Sequence, residues 1–230
     1  MKKILIIGGD GRFASELRKV KTKFKLIFCG KKELDICSQK SINKNFSKYK
    51  PNYVLHLAGL SRPMKIHEKN ILKSINLNII GTGNIVNECF KKKIKLIYIS
   101  TNYLYPGTKG NYKETDALLP WNNYGWSKLG GESAVQMYKN SLIVRCALTE
   151  YPFKHKKAFS DVKSNFIYHK DFIPILLKII DKRGTINVGG KSQTIFNFVR
   201  KEKKNITKVK SKGKMPKRVD MNLGKLFKIL

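Results

Sequence analysis

Tyr124 and Lys128 stand four residues apart in the stretch Asn122-Asn123-Tyr124-Gly125-Trp126-Ser127-Lys128, which reads as the opening turns of a helix continuing through Leu129, Glu132, Ala134 and Val135. Positions i and i+4 share one helix face, so the phenol and the ammonium point into the same space. A fixed cation stabilises phenolate, which makes the phenol a proton donor to a substrate oxygen near neutral pH. Spacing alone carries little weight. With ten tyrosines and 48 lysines plus arginines in 230 residues, about two such matches arise by chance, and the chain holds two. The other, Tyr105 to Lys109, encloses Pro106 and Gly107 and cannot be a helical turn.

The elements that would position this pair alternate between strand and helix. Lys3-Ile4-Leu5-Ile6-Ile7 is a short apolar run of the kind buried on both faces of a parallel sheet. Gly8-Gly9-Asp10-Gly11-Arg12-Phe13-Ala14 follows, then helical spacing from Ser15 to Val20. Strand, glycine turn and helix together form the context of a dinucleotide site: Gly8 turns the chain, Gly11 lets backbone approach a pyrophosphate, and Ala14 permits close helix–strand packing. A second strand, Phe24 to Gly30, ends in Gly30-Lys31-Lys32 rather than in Asp or Glu. A cationic exit suits a ribose 2′-phosphate, so the cofactor expected is NADP (NADPH) over NAD, with Lys31, and Arg12 from the glycine turn, at that phosphate.

A helix from about Ser38 to Tyr49 precedes a third strand, Asn52 to Ala58, whose small exit Ala58-Gly59 leaves room for a cofactor across the strand end. His56, inside that apolar run, reads as a core histidine. One long helix is expected from about His67 to Lys92, and a fourth strand from Lys95 to Ser100 with Thr101 at its end. Ligands of such sheets bind outside the carboxyl ends of the strands. Further on, helices are expected at Lys170–Ile180, with Pro174 near its first turn, at Ile195–Lys203 and at Asn222–Leu230.

Composition sets wider bounds. The length suits one large domain or a domain with a small appendage, and no apolar run approaches a membrane span. Cys29, Cys37, Cys89 and Cys146 are scattered without metal-ligand spacing, so reduced thiols in a cytoplasmic protein and no metal site are expected. The formal charge of +33 points either to polyanion binding or to a lysine-rich compositional bias. Lysines spread along most of the chain favour the second, since dedicated binders concentrate charge and prefer arginine. The densest basic run is Lys201 to Lys217.

Taken in order, Gly8-x-x-Gly11-x-x-Ala14, Leu57-Ala58-Gly59, Asn78-x-x-Gly81-Thr82, Ser100-Thr101-Asn102-Tyr103 and Tyr124-x-x-x-Lys128 resemble the extended short-chain dehydrogenases/reductases. Ser100-Thr101-Asn102-Tyr103-Leu104-Tyr105-Pro106-Gly107 and Tyr124-Gly125-Trp126-Ser127-Lys128-Leu129-Gly130-Gly131-Glu132 are similar to segments of the dTDP-4-dehydrorhamnose reductase family of nucleotide-sugar reductases. The likeness runs through Leu142-Ile143-Val144-Arg145, resumes at Gly184–Gly190 and ends near Lys217–Met221.

That resemblance implies an α/β fold: a Rossmann-like, doubly wound parallel sheet with a reduced C-terminal substrate-binding part. Residues 1–150 would form the NAD(P)-binding domain and 151–230 the reduced part, interleaved with it. It implies a catalytic set in which Tyr124 protonates the substrate carbonyl oxygen, Lys128 holds the nicotinamide ribose and lowers the phenol's pKa, and Thr101 orients that oxygen. Phe13, Ala58, Gly59 and Asn78 join the glycine turn as cofactor contacts, and Asn102, Tyr103 and Arg218 are the substrate contacts. Set against that family's pattern, Asn102 stands in place of an aspartate, and the step from Tyr151–Lys157 to Phe159–Val162 omits a glycine-containing loop and helix. The activity implied is NADP-dependent reduction of a 4-keto-6-deoxy nucleotide sugar for deoxysugar and surface-polysaccharide synthesis, by a homodimer that uses no membrane or nucleic acid. Two alternatives are a nucleotide-sugar epimerase or dehydratase, and a non-catalytic dinucleotide- or nucleic-acid-binding protein.

Overall fold

The computed structural model describes residues 1–213 and 215–230. It divides into two compact units. Met1–Ser100, Asn123–Val144 and Ile180–Gly184 form the first; Thr101–Asn122, Arg145–Ile179 and Thr185–Leu230 form the second.

In the first unit, β1 (Lys3–Ile7), β2 (Lys25–Cys29), β3 (Tyr53–His56), β4 (Lys95–Ile99) and the first half of β5 (Ser141–Thr149) make a parallel sheet in the order β2-β1-β3-β4-β5. This is the α/β architecture expected from the sequence. Ile4 to Ile7 are almost wholly buried, as strands covered on both faces must be. The helices are α1 (Arg12–Leu17), α2 (Gln39–Tyr49), α3 (Ile66–Lys69), α4 (Ile71–Ser74), α5 (Gly81–Lys91) and α6 (Asn123–Gln136). On one side of the sheet Leu5, Ile7, Ile42, Phe46, Ile85, Cys89, Leu96, Tyr98, Val135 and Ile143 close into a single core. Ser38 caps α2 by accepting from the Ser41 N–H.

The single helix expected from His67 to Lys92 is three pieces. Asn70 leaves helical geometry at φ −140° and its side chain accepts from the Lys73 N–H, starting α4 afresh. Between α4 and α5 lies a π-helical turn, Ile75–Ile80, a form that in proteins concentrates at functional sites.

In the second unit the far half of β5 pairs in parallel with β8 (Phe166–Tyr168), from Ala147 opposite Phe166 to Thr149 opposite Tyr168. Two small ribbons accompany it: β6 (Lys157–Phe159) with β11 (Thr207–Val209), and β7 (Lys163–Ser164) with β10 (Gln193–Thr194). Phe153, Ala158, Val162, Ile195, Val199 and Ile206 form one core, and Tyr105, Tyr112, Met221 and Leu223 another. Helix α7 (His169–Ile179) carries Pro174 in its second turn rather than its first. There the ring removes a backbone donor, while Phe172, Ile173, Leu176 and Ile179 still bury one face. Strand β9 (Gly184–Val188) also pairs with β5. Helices α8 (Ile195–Val199) and α9 (Gly224–Phe227) are shorter than their sequence pattern suggests. Of the basic run Lys201–Lys217, Thr207–Val209 is the strand paired with β6, and Lys214 lies outside the described residues. No helix among the described residues is long and apolar enough to cross a membrane.

Candidate active site

The glycine turn after β1 is set by backbone geometry. Gly8 has φ +88°, and a β-carbon there would lie 2.6 Å from the Ala58 backbone nitrogen. The exits of β1 and β3 therefore meet backbone to backbone, which only glycine allows. The Gly8 and Gly9 N–H groups donate to the Cys29 carbonyl at 3.0 and 2.8 Å, and the Gly11 N–H donates to the Gly8 carbonyl at 3.0 Å. Arg18, which no sequence pattern marks, braces the turn. Its guanidinium lies 3.9 Å from the Phe28 ring centre and donates to the Gly9 carbonyl at 3.3 Å. Arg12 and Lys31 are exposed and Phe13 is buried. Asp10 is likewise unmarked by sequence pattern: a β-carbon at Gly30 would collide with its carboxylate, so an acidic group stands at the end of β2 beside Lys31.

Asn78, in the π-helical turn, is 1% exposed and clamps two elements together. Its Oδ1 accepts from the Leu60 N–H at 2.7 Å, while its amide donates to the Leu60 carbonyl at 2.9 Å and to the Ser127 hydroxyl at 2.8 Å. Ser127 in turn donates to the Tyr124 carbonyl at 2.8 Å. The loop after Gly59 is thus tied to the first turn of α6. Both amide hydrogens of Asn78 are spent on protein partners, so its part is to position rather than to donate to a cofactor.

Tyr124 and Lys128 both lie on α6, four residues apart on one face. The Tyr124 ring meets His67 edge-on, with centroids 5.1 Å apart. Lys128 is buried, and its Nζ lies 4.0 Å from the centre of the Tyr98 ring, a cation–π contact. The Tyr98 hydroxyl donates to the Lys128 carbonyl at 3.3 Å. Burial, with the negative charge of Glu132 second, pushes the Tyr98 phenol well above its ordinary range, so Tyr98 holds the helix as a neutral donor. Glu132 accepts from Ser100 at the end of β4.

Thr101 opens the second unit, directly after Ser100. Its hydroxyl accepts from the Tyr103 N–H at 3.2 Å and caps the short 3₁₀ turn Asn102–Leu104. Asn102 is buried, and its amide donates to Ser164 and to the Val219 carbonyl, both at 3.0 Å. Arg218 pairs with Asp220 at 3.1 Å. Asp220 also accepts from Ser192, and the Arg218 and Ser192 contacts hold its carboxyl below the usual range against the upward pull of burial. Tyr105, the other member of a Tyr-x-x-x-Lys match, is wholly buried; its hydroxyl donates to Asn187 at 2.8 Å and accepts from Arg145 at 2.9 Å. The sequence-predicted residues therefore sort by unit. Gly8, Gly11, Arg12, Phe13, Lys31, Ala58, Gly59, Asn78, Tyr124 and Lys128 belong to the first; Thr101, Asn102, Tyr103 and Arg218 belong to the second.

His56 is 1% exposed, with Nε2 3.1 Å from the Thr82 hydroxyl and Nδ1 without a hydrogen-bond partner. Burial first, and the Lys128 charge second, push its pKa down to about 3. A depressed folded-state pKa makes stability fall as pH drops from the unfolded value near 6.5 toward 3, because only the unfolded chain takes up the proton. His56→Gln should therefore lose about one proton of pH-linked slope relative to wild type, ~1.4 kcal/mol per pH unit, in urea titrations between pH 6 and pH 4. Equal slopes for the two proteins would contradict the assignment.

Comparison with known proteins bears on the family and the fold. Residues 1–169 match the model of the RmlD substrate binding domain family. A spore coat polysaccharide biosynthesis protein of Bacillus subtilis (strain 168) is 33% identical over 150 residues, 63% of this chain and 52% of its own. Methionine adenosyltransferase 2 subunit beta of Pongo abelii is 27% identical over 143 residues, 58% of this chain and 42% of its own. The chain spans about half the length of the curated relatives it matches. A crystal structure of dTDP-4-dehydrorhamnose reductase from Bacillus anthracis in complex with NADP superposes with a TM-score of 0.89 at 23% identity, covering 99% of this chain and 92% of that one. With nearly three quarters of its length matched by the family model, and the parallel sheet, glycine turn and α6 pair in place, the chain belongs to the RmlD substrate binding domain family.

Proposed function

We infer that the protein is an NADP-dependent reductase of a 4-keto-6-deoxy nucleotide sugar, acting in the supply of deoxysugars for surface polysaccharide. The observation that carries this reading is the placement of Tyr124 and Lys128 on one face of α6, with the first turn of that helix clamped through Ser127 and Asn78 to the loop after β3. The tight packing at Gly8 and Gly59, where β-carbons would strike Ala58 and Asn78, draws together the exits of β1 and β3, the end of a parallel sheet at which dinucleotides bind. A bound nicotinamide would supply the hydride. Tyr124 gives its proton to the carbonyl oxygen as charge develops there, and Lys128 stabilises the phenolate left behind. Thr101, the first residue of the second unit, is the third residue of the proposed set. Arg12 and Lys31 serve the 2′-phosphate, with Tyr103 and Arg218 on the substrate side and the site working in the cytoplasm.

Because the Asp10 carboxylate stands against Gly30 at the end of β2, NADH belongs in the test beside NADPH. Thermal unfolding at physiological salt should rise more with NADPH than with NADH or ATP at equal concentration; a ligand at a hundred times its Kd stabilises by about 2.7 kcal/mol. Equal shifts with NADPH and ATP would mean that the positive charge alone is binding polyanions, and the cofactor assignment would fall. A second reading, a non-catalytic dinucleotide-binding subunit, is favoured by the match to a protein named as a subunit. A clear NADPH shift with no NADPH oxidation across a panel of nucleotide-linked 4-keto sugars would select it.

A further inference from the structure

The first unit carries a polar cavity at the opposite end of the strands from the glycine turn. It has a volume of about 260 Å³ and is lined by Lys2, Asn52, Tyr53, Lys93, Lys95, Asn140, Asp181 and Arg183. Lys2 precedes β1, Asn52 and Tyr53 open β3, Lys93 and Lys95 open β4, and Asn140 precedes β5. In a parallel sheet these are all strand beginnings, whereas Gly8 and Gly59 lie past strand ends. The two sites are therefore separated by the length of the strands.

Four cationic side chains meet here against one carboxylate. Most lysines of this chain are dispersed on the surface, but Lys95 is 7% exposed, and its Nζ donates to the Lys182 carbonyl, which fixes the ammonium at the cavity wall. Burial first, and the Arg183 charge second, draw its pKa down to about 8. The Asp181 carboxylate accepts from the Tyr53 hydroxyl at 2.6 Å, and Lys2 donates to the same hydroxyl at 3.1 Å. The negative charge is thereby tied into the rim. Asn52 accepts from the Lys3 N–H through its Oδ1 at 2.8 Å, so its amide adds neutral donors.

Packing like charges around a cavity while burying one of them is unfavourable unless something of opposite sign completes the arrangement. The volume matches roughly eight waters, room for two linked phosphoryl groups. We propose that this basal cavity binds a small, multiply charged oxyanion of the phosphate or diphosphate class, held by Lys2, Lys93, Lys95 and Arg183. Such an anion neutralises the cluster through charge-assisted hydrogen bonds. The site does not depend on the reductase reading.

The test is calorimetric titration of the full chain with inorganic pyrophosphate at about 0.15 M ionic strength, where exposed charges are largely screened. The double variant Lys93→Gln/Arg183→Gln removes two exposed rim charges and leaves buried Lys95 in place. A control, Lys201→Gln/Lys204→Gln, removes the same charge from the second unit. The rim variant should bind pyrophosphate at least about tenfold more weakly, the control within about twofold of wild type, and NADPH-induced stabilisation should be the same in all three. Equal losses in rim and control variants, or no loss in the rim variant, would overturn the proposal.

Discussion

Tyr124→Phe should lower turnover of a nucleotide-linked 4-keto sugar by about a thousandfold, within the range of about 10² to 10⁴ for loss of a positioned proton donor. The substitution removes one oxygen and leaves the ring. The edge-on contact with His67, at 5.1 Å between centroids, survives, and so does the Ser127 bond, because that bond is to the Tyr124 main-chain carbonyl. NADPH-induced stabilisation should therefore persist, with the loss falling on the chemical step. In single-turnover measurements the hydride-transfer rate should collapse while the cofactor dissociation constant stays put. A variant that turns over at the wild-type rate would remove Tyr124 from the mechanism; one that loses cofactor binding equally would make it a packing residue.

The second large effect concerns stability. Gly131 lies where α6 crosses the π-helical turn, and a β-carbon there would fall 2.3 Å from the Asn78 carbonyl oxygen and 2.9 Å from the Tyr98 hydroxyl. The nearest atom is backbone, so no side-chain rotation relieves the clash and the helix itself must move. Gly131→Ala should cost about 2–3 kcal/mol, the upper part of the usual range for overpacking, and lower the melting temperature by roughly 5–10 °C for a chain of this size. Displacing α6 also pulls on the Asn78–Ser127 bond, so NADPH-induced stabilisation should shrink as well. Gly83→Ala is the control. It lies in α5 with nothing within 4 Å of its β-carbon position, and alanine is the better helix former, so it should be neutral or stabilising by up to about 1 kcal/mol. Similar melting temperatures for the two variants would show that the α6 crossing is looser than described.

These two glycines show what the sequence made legible. The run Lys3–Ile7 followed by Gly8 could be recognised because apolar burial and the positive φ of Gly8 each leave a compositional mark. Gly131 could be noted only as part of a resemblance, since close approach depends on which helix lies opposite. Asn78 was legible as a residue of interest but not in its role: the π-helical turn that aims it inward leaves no periodic trace. Asn70 breaks a helix that the apolar pattern carries straight through, because an asparagine inside a helix and one starting a helix look alike in sequence. Asp10 and Arg18 escaped notice because their parts depend on folding back over Gly30 and Phe28, contacts between residues distant along the chain. The basal cavity was illegible for the same reason. Its four cations come from three strand beginnings, those of β1, β4 and β9, each unremarked in a chain where lysine is common.

The division of the chain has a consequence for how such a protein can change over evolutionary time. The backbone passes between the two units five times, after residues 100, 122, 144, 179 and 184. Neither unit is encoded by one continuous stretch of gene. A single recombination event therefore cannot exchange the second unit for a homologue's while keeping the first; every breakpoint carries pieces of both. Change in the second unit has to accumulate by point substitution and by insertion or deletion within its three segments, not by domain shuffling.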